Sequence, residues 1–175
     1  EDVVLDMRGG PLAVGDRITW TEFFHHGASY YGDVHDMPQK SNGIRKYGHD
    51  LVEKDPHFLG GFAEYCYVVP GTGILKLPDE LSDEEATPLN CGVATMISVV
   101  EASEIQMGDI VAIQGLGLLG LYGCAMAKAR GARRVIGLDS VGDRLAMAKK
   151  FGADAVVDIS GRDEDDVVGE VRALA

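Results

Sequence analysis

The sequence lacks a long apolar run, a surplus of basic residues and a dense set of cysteines. No apolar stretch reaches about 18 residues, the length that a membrane-spanning helix needs, so we expect no membrane segment. The 16 Lys and Arg residues are outnumbered by 28 Asp and Glu residues, and a net charge of −12 argues against nucleic acid and anionic membranes as partners. Three widely spaced cysteines do not form a disulfide framework, which predicts a reducing, cytoplasmic setting.

The first part of the chain is rich in turns and short alternating runs. GDRITW (15–20) and GGFAEYCYVV (60–69) each predict a turn followed by a strand. Residues 21–50, which lie between them, are dense in turn-forming residues and are predicted to be a loop. Ser82 is followed three residues later by Glu85, a capping-box pattern that predicts the start of a helix.

From Gly108 onward the sequence alternates between apolar strands and helices. Strands are predicted at 109–114, 133–139 and 153–160, and helices at 115–131, 140–152 and 163–175. This alternation is typical of a parallel, doubly wound α/β sheet. Three strands are about half of such a sheet and would leave an unpaired edge. Because the sequence also begins without methionine, we expect an internal fragment of a longer protein.

The sequence GLGLLG carries glycines in the G-x-G-x-x-G spacing, directly after a predicted strand and at the start of a helix. Gly115 permits a tight turn, Gly117 permits the backbone to approach a pyrophosphate, and Gly120 permits close packing of the helix. The helix N-terminus, which includes Leu118 and Leu119, offers N–H groups to the phosphates. These five residues are therefore predicted to bind a dinucleotide. The alternative is a glycine-rich turn without a ligand.

Asp139 ends the next predicted strand, 19 residues after Gly120. A carboxylate at this place can accept hydrogen bonds from the adenosine ribose hydroxyls and would repel a 2′-phosphate, so NAD is predicted rather than NADP. Asp139 could instead be the N-cap of the following helix, a role that Ser140 could also fill. Arg144, one turn into that helix, either lines the adenosine side or is a solvated residue.

Cys91 lies in the stretch TPLNCGVAT, where the residues alone allow two interpretations. Free cysteine is among the most buried residue types, so Cys91 could be a small core residue. Its thiolate could instead be a metal ligand. Cys66 and Cys124, which fall in the middle of a predicted strand and helix, are predicted to be core residues.

Five blocks of the sequence occur in the order seen in zinc-dependent, medium-chain alcohol dehydrogenases. They are GDRITW, GGFAEYCYVVP, ILKLPDELSDEEATPLNCGVAT, VAIQGLGLLGLYGCAMAKARGARRVIGLD and AMAKKFGADAVVD. The chain resembles this family over nearly its whole length, and MPQKSNGIRKYGH is similar to a subgroup associated with phosphonate metabolism. The resemblance implies a partial GroES-like, β-rich catalytic domain at 1–92, followed by a partial Rossmann domain at 93–175.

The resemblance also implies an enzyme that transfers a hydride between an alcohol and NAD. The substrate would be a small alcohol, aldehyde or ketone, with zinc as the Lewis acid. Cys91 resembles the family's third ligand of the catalytic zinc, and Thr95 resembles the threonine that touches the nicotinamide. The other two ligands would precede Glu1. His49, in the sequence GHD, does not match them because it follows the GDR turn instead of preceding it.

Many family members bind a second, structural zinc through four cysteines, whose places are taken here by Gly27, Tyr30, Asp33 and Ser41. A structural zinc is therefore not expected. The segment that holds the structural zinc, the structural-zinc lobe, often contributes to subunit contacts in the family. Whether this protein forms the usual homo-oligomer is therefore left open. Nearby acids and histidines either bind a metal or form a solvated loop: His25, His26, Asp33, His35 and Asp36. The alternatives to the zinc-dependent enzyme are a zinc-free reductase of the same superfamily and a non-catalytic nucleotide-binding module.

Overall fold

A computed structural model describes residues 4–25, 29–35, 37–41 and 43–175, with the side chain of His25 left out. The chain divides into two compact units, Glu1–Asn90 and Cys91–Ala175. Within the described ranges, none of the helices combines the length and the apolar character that crossing a membrane requires.

The first unit contains two antiparallel pairs of short strands. The strands are β1 (Ile18–Trp20), β2 (Phe23–His25), β3 (Ile44–Lys46) and β4 (Ile74–Lys76). Strand β1 pairs with β4, and β2 pairs with β3. The prediction of a loop over residues 21–50 was therefore wrong in part. Its turn-rich composition conceals Phe24, whose buried ring lies 4.9 Å from the ring of Tyr47 and gives β2 a core to pack against.

The strand predicted at residues 60–69 is absent, and this prediction was also wrong. A strand requires a ladder of hydrogen bonds to a neighbouring backbone. Here the N–H of Tyr67 donates to the carbonyl of Phe58 (2.7 Å), and the N–H of Val69 donates to the hydroxyl of Tyr47 (2.8 Å). The segment is thus held by single contacts, with Val69 buried in the core of the first unit.

Helix α1 (Asp83–Ala86) closes the first unit and begins with the predicted capping box. The Glu85 N–H donates to the Ser82 hydroxyl (3.2 Å), and the Ser82 N–H donates to the Glu85 carboxylate (3.0 Å). The chain then passes through a short π-helical turn, Leu89–Val93, into helix α2 (Ala94–Ala102). The break between the helices matches the expected effect of Pro88.

The second unit contains a three-stranded parallel sheet with helices on both faces. The elements after α2 are β5 (Ile110–Gln114), α3 (Leu118–Ala129), β6 (Arg134–Asp139), α4 (Gly142–Lys150), β7 (Ala155–Asp158) and α5 (Glu164–Leu174). The sheet order is β5–β6–β7, and every strand and helix predicted after Gly108 is present. The predicted α/β class is confirmed.

The two faces of the sheet are buried by different helices. On one face, Cys124 of α3 and Leu145 of α4 pack with Val135 of β6. On the other, Val171 of α5 packs against a buried cluster that includes Ile136 of β6. Adjacent residues of β6 thus point to opposite faces, as the period of a strand requires. Because β5 and β6 are parallel neighbours, the segments that follow them meet at the same edge.

Replacement of Tyr47 by Phe is expected to destabilise the first unit. The Tyr47 hydroxyl accepts the Val69 N–H and lies 2.7 Å from the Thr72 hydroxyl, so its loss leaves a buried donor without a partner. We expect the free energy of unfolding, measured with urea, to fall by about 1–3 kcal/mol. Tyr65→Phe is the control, because Tyr65 is 81% exposed. Equal stability of the two variants would contradict the role assigned to the hydroxyl.

Candidate functional site

The glycine loop leaves the carboxyl end of β5 and enters α3 through a sharp turn. Gly115 has a φ of +89°, in the left-handed region where residues with a side chain are strained. Its N–H donates to the carbonyl of Leu138 on β6 (2.8 Å), which fixes the start of the loop. Gly117 is extended and is the N-cap residue of α3, and no side chain caps the helix there. The first N–H groups of α3 are therefore free of a side-chain cap.

Two of the glycines differ in what surrounds them. A Cβ atom on Gly120 would lie 1.9 Å from the carbonyl oxygen of Gly115, so α3 approaches its own entry loop too closely for any side chain. A Cβ atom on Gly117 would meet no atom within 4 Å. The fold itself therefore requires glycine at 120, whereas at 117 the open space lies in front of the helix N-terminus.

Asp139 is only 5% exposed and lies at the carboxyl end of β6, next to the loop. Its Oδ2 accepts the N–H of Leu116 (2.6 Å), and its Oδ1 accepts the N–H of Val141 (2.9 Å). The Leu116 N–H is the main cause that lowers the pKa of Asp139 below its usual value, against the raising effect of burial. The Val141 N–H and the Arg144 charge lower it further, with Nη1 of Arg144 3.8 Å from Oδ2.

Asp139 does not fill the alternative role of N-cap for the following helix. The N-cap of α4 is Val141, without a side-chain cap bond, so neither Asp139 nor Ser140 is the N-cap residue. The bond between Asp139 and Leu116 was not predicted from the sequence. The only signal was that both residues end or follow neighbouring parallel strands, which places them at one edge but gives no contact.

Cys91 lies in the π-helical turn and is exposed, so the interpretation as a core residue was wrong. Thr95, in the first turn of α2, is also exposed. The described residues contain no group of three or more His, Cys, Asp or Glu side chains that could hold a metal. Cys124 is buried as predicted, and Cys66 is half-buried against the core of the first unit.

The segment aligned with the structural-zinc lobe is described only in part. His26, Gly27, Asp36 and the side chain of His25 lie outside the described residues. The others are held by local contacts. The carboxylate of Asp33 accepts the N–H of Ser29 (2.7 Å), and the ring of His35 lies 4.8 Å from that of Tyr30. Tyr30 is exposed and Ser41 is buried.

His49 occupies an exposed turn. Its Nδ1 lies 2.9 Å from the carbonyl oxygen of Tyr47. Its ring is therefore engaged by the local backbone, in agreement with its interpretation as a loop residue.

Several known proteins with similar sequences or structures are dehydrogenases. Residues 119–175 match the zinc-binding dehydrogenase family. An alcohol dehydrogenase of Geobacillus stearothermophilus is 40% identical over 98 residues, which cover 56% of this chain and 28% of that protein. The structure of an alcohol dehydrogenase from Thermotoga maritima superimposes with a TM-score of 0.82 at 28% identity, covering 97% of this chain and 47% of that one. A zinc-binding dehydrogenase of Sinorhizobium meliloti 1021, bound to NADP, has a TM-score of 0.68 at 27% identity, covering 87% and 42%.

The matches and the fold together relate this chain to proteins of the dehydrogenase class. Its sequence and fold match the zinc-type, medium-chain alcohol dehydrogenase family, with a partial GroES-like unit followed by a partial Rossmann unit. The chain spans from about a quarter to about half of the length of the curated relatives it matches.

The contrast between the two glycines is testable by stability measurements. Gly120→Ala is expected to lower the free energy of unfolding by at least about 2 kcal/mol, because backbone atoms cannot rotate away from the new methyl group. Gly117→Ala should change it by less than about 1 kcal/mol, since its φ of −71° suits alanine. Urea unfolding of both variants gives the comparison. Similar losses in the two would mean that the loop is built differently.

Proposed function

We propose that this chain is part of an NAD-dependent alcohol dehydrogenase, in which residues 93–175 bind the coenzyme and residues 1–92 belong to the catalytic domain. The observation that carries this proposal is the open space at Gly117, in front of the N-terminus of α3 and on the same sheet edge as Asp139. A dinucleotide has a pyrophosphate for the first place and a ribose for the second.

The residues of the loop fit a pyrophosphate. The N-terminus of α3 carries the positive end of the helix dipole, and the N–H groups of Leu118 and Leu119 are in its first turn. The lack of a Cβ on Gly117 allows phosphate oxygens to approach the backbone. The loop would thus bind the phosphates through backbone groups alone, which leaves the coenzyme's orientation to Asp139 and Arg144 at the adenosine end.

The charge at the adenosine end favours NAD. Each oxygen of Asp139 accepts one backbone N–H and retains a second lone pair for a ribose hydroxyl. A 2′-phosphate would lie against this carboxylate. Arg144 is the nearby cation, but its contact with Asp139 is long, at 3.8 Å, and more than half of its side chain is exposed. The NADP-bound relative makes coenzyme choice the first property to measure.

The metal proposal rests on fewer residues. Cys91 is exposed and can be approached by a metal, but the described residues supply no full set of ligands with it. We therefore place the remaining donors elsewhere in the whole protein. Zinc, when bound, supplies Lewis-acid polarisation of an alcohol oxygen, and the coenzyme accepts the hydride. The part of this chain is to present the Cys91 thiolate and, one turn further, the hydroxyl of Thr95 towards the nicotinamide. Cytoplasmic location and a homo-oligomer stay predictions.

Coenzyme choice is measured on this chain by calorimetric titration. We expect NAD to bind at least about tenfold more tightly than NADP, because juxtaposing the 2′-phosphate with Asp139 costs more than 1.4 kcal/mol. Gly117→Ala, which should preserve the fold, is expected to weaken the binding of NAD. Tighter binding of NADP would contradict the role of Asp139, and binding of neither coenzyme would contradict the assignment of residues 93–175.

The ligand role of Cys91 is tested in the whole protein by zinc content. Cys91→Ala is expected to lower zinc affinity more than about a hundredfold, since even a supporting hydrogen bond is worth 10- to 100-fold. NAD affinity should be unchanged, because the phosphates bind the glycine loop. Cys66→Ala is the matched control and should retain zinc. A Cys91→Ala protein that keeps its zinc would contradict the ligand role of Cys91. Turnover by wild type from which zinc has been removed would favour the zinc-free reductase. Zinc-bound wild type without turnover on any alcohol would favour the nucleotide-binding module.

A further inference from the structure

Asp139 has a second task that does not involve the ribose. We propose that Asp139 is a positioning residue, whose carboxylate holds the phosphate loop in its binding shape before any nucleotide arrives. The proposal rests on the proposed function of residues 93–175 as a nucleotide site, but it concerns contacts that the chain makes by itself.

The first contact is a buried hydrogen bond inside the loop. Leu116, between the first two glycines, has an exposure of 0%, so water does not reach it. Its N–H donates to Oδ2 of Asp139 at 2.6 Å, a short distance typical of a charge-assisted bond. Removal of the carboxylate would leave this donor buried without a partner. The loop would then have to move to expose the N–H to water.

The second contact ties the loop to its neighbour on the next strand. Oδ1 of Asp139 accepts the Val141 N–H at 2.9 Å, at the entry to α4. One carboxylate therefore links the segment between β5 and α3 to the segment between β6 and α4. Both segments border the space in front of α3, so their relative position determines where a dinucleotide can lie.

The packing of the Leu116 side chain couples the position of the whole loop to the hydrogen bond with Asp139. It packs against Gly137 of β6, where an added Cβ would come within 3.0 and 3.1 Å of its two methyl carbons. Leu116 is thus held by two contacts: its side chain packs against β6, and its N–H is bonded to Asp139. A shift of its backbone would carry Gly117 and the first turn of α3 with it.

This arrangement has a consequence for coenzyme choice. Changing Asp139 to a small or neutral residue removes the repulsion of a 2′-phosphate, but it also releases the Leu116 N–H. Such a variant should lose affinity for both coenzymes instead of exchanging one for the other. Ribose recognition and loop positioning can be separated with a nucleotide that lacks the ribose hydroxyls.

The experiment titrates this chain with ADP and with 2′,3′-dideoxy-ADP, in wild type and in Asp139→Ala. We expect the substitution to weaken the dideoxy nucleotide at least about tenfold, the effect of an unsatisfied buried donor, and ADP by more. If Asp139 served the ribose alone, the dideoxy nucleotide would bind both proteins equally, and the proposal would be overturned.

Asp154→Ala is the matched control for a general loss of stability. Asp154 also accepts a backbone N–H of β6, that of Val135 at 2.7 Å, and it pairs with Lys128. Its contact is at the opposite end of β6 from Asp139. Its removal should destabilise the same unit without changing the affinity for either nucleotide. A loss of dideoxy-ADP binding as large as that of Asp139→Ala would overturn the proposal.

Amide hydrogen exchange tests the positioning role without a ligand. In Asp139→Ala, exchange of the Leu116 N–H should accelerate at least about tenfold relative to amides in the middle of β6. Asp139→Asn, which keeps the size and one acceptor oxygen, should release either Leu116 or Val141 but not both. Wild-type protection of Leu116 in Asp139→Ala would overturn the proposal. Failure of wild type to bind ADP would count against the proposed function alone, since the exchange result stands without nucleotide.

Discussion

The close approach of helix α3 to its entry loop is the constraint on which the second unit depends. Because Gly120 has no side chain, α3 can begin directly against the carbonyl of Gly115. This brings the helix N-terminus to the carboxyl edge of the sheet, beside the end of β6. A displaced helix would separate the loop from Asp139 and would no longer direct its dipole at the space near Gly117. One contact therefore determines both how α3 packs against its entry loop and where its N-terminus points.

The parallel half of the fold could be predicted from the sequence because its signals are local. Apolar runs of strand length, helices with charged faces and the glycine spacing each lie within about 15 residues, and the strands follow one another in the sheet. The β-rich half could not be predicted as well. Its strands have three residues each, and they pair across long separations, as Trp20 does with Ile74. Such short segments have too few alternating positions to distinguish a strand from a loop, and the ring of Phe24 reveals its burial only in three dimensions.

The candidate site shows the same division. The turn at Gly115 and the close contact at Gly120 follow from residue type and spacing, since few other residues tolerate those positions. The exposure of Cys91 could not be derived from its neighbours, because PLNCG suits a core turn as well as a surface one. The two bonds of Asp139 depend on rotamer and loop height, which no pattern in the sequence specifies. The proposed role of Cys91 rests on resemblance to a family, whereas the proposed second role of Asp139 rests on geometry.

Gly137 illustrates how far the residues that shape the proposed nucleotide site extend from the place of the ligand. It lies within β6, where a residue is ordinarily considered part of the scaffold, yet its missing side chain leaves the room that Leu116 fills beneath the phosphate loop. A methyl group there would displace Leu116, and with it the loop, without touching any nucleotide. Sequence variation at this buried strand position would then alter coenzyme affinity without changing any residue that contacts the ligand. A survey limited to ligand-contacting residues would not include it.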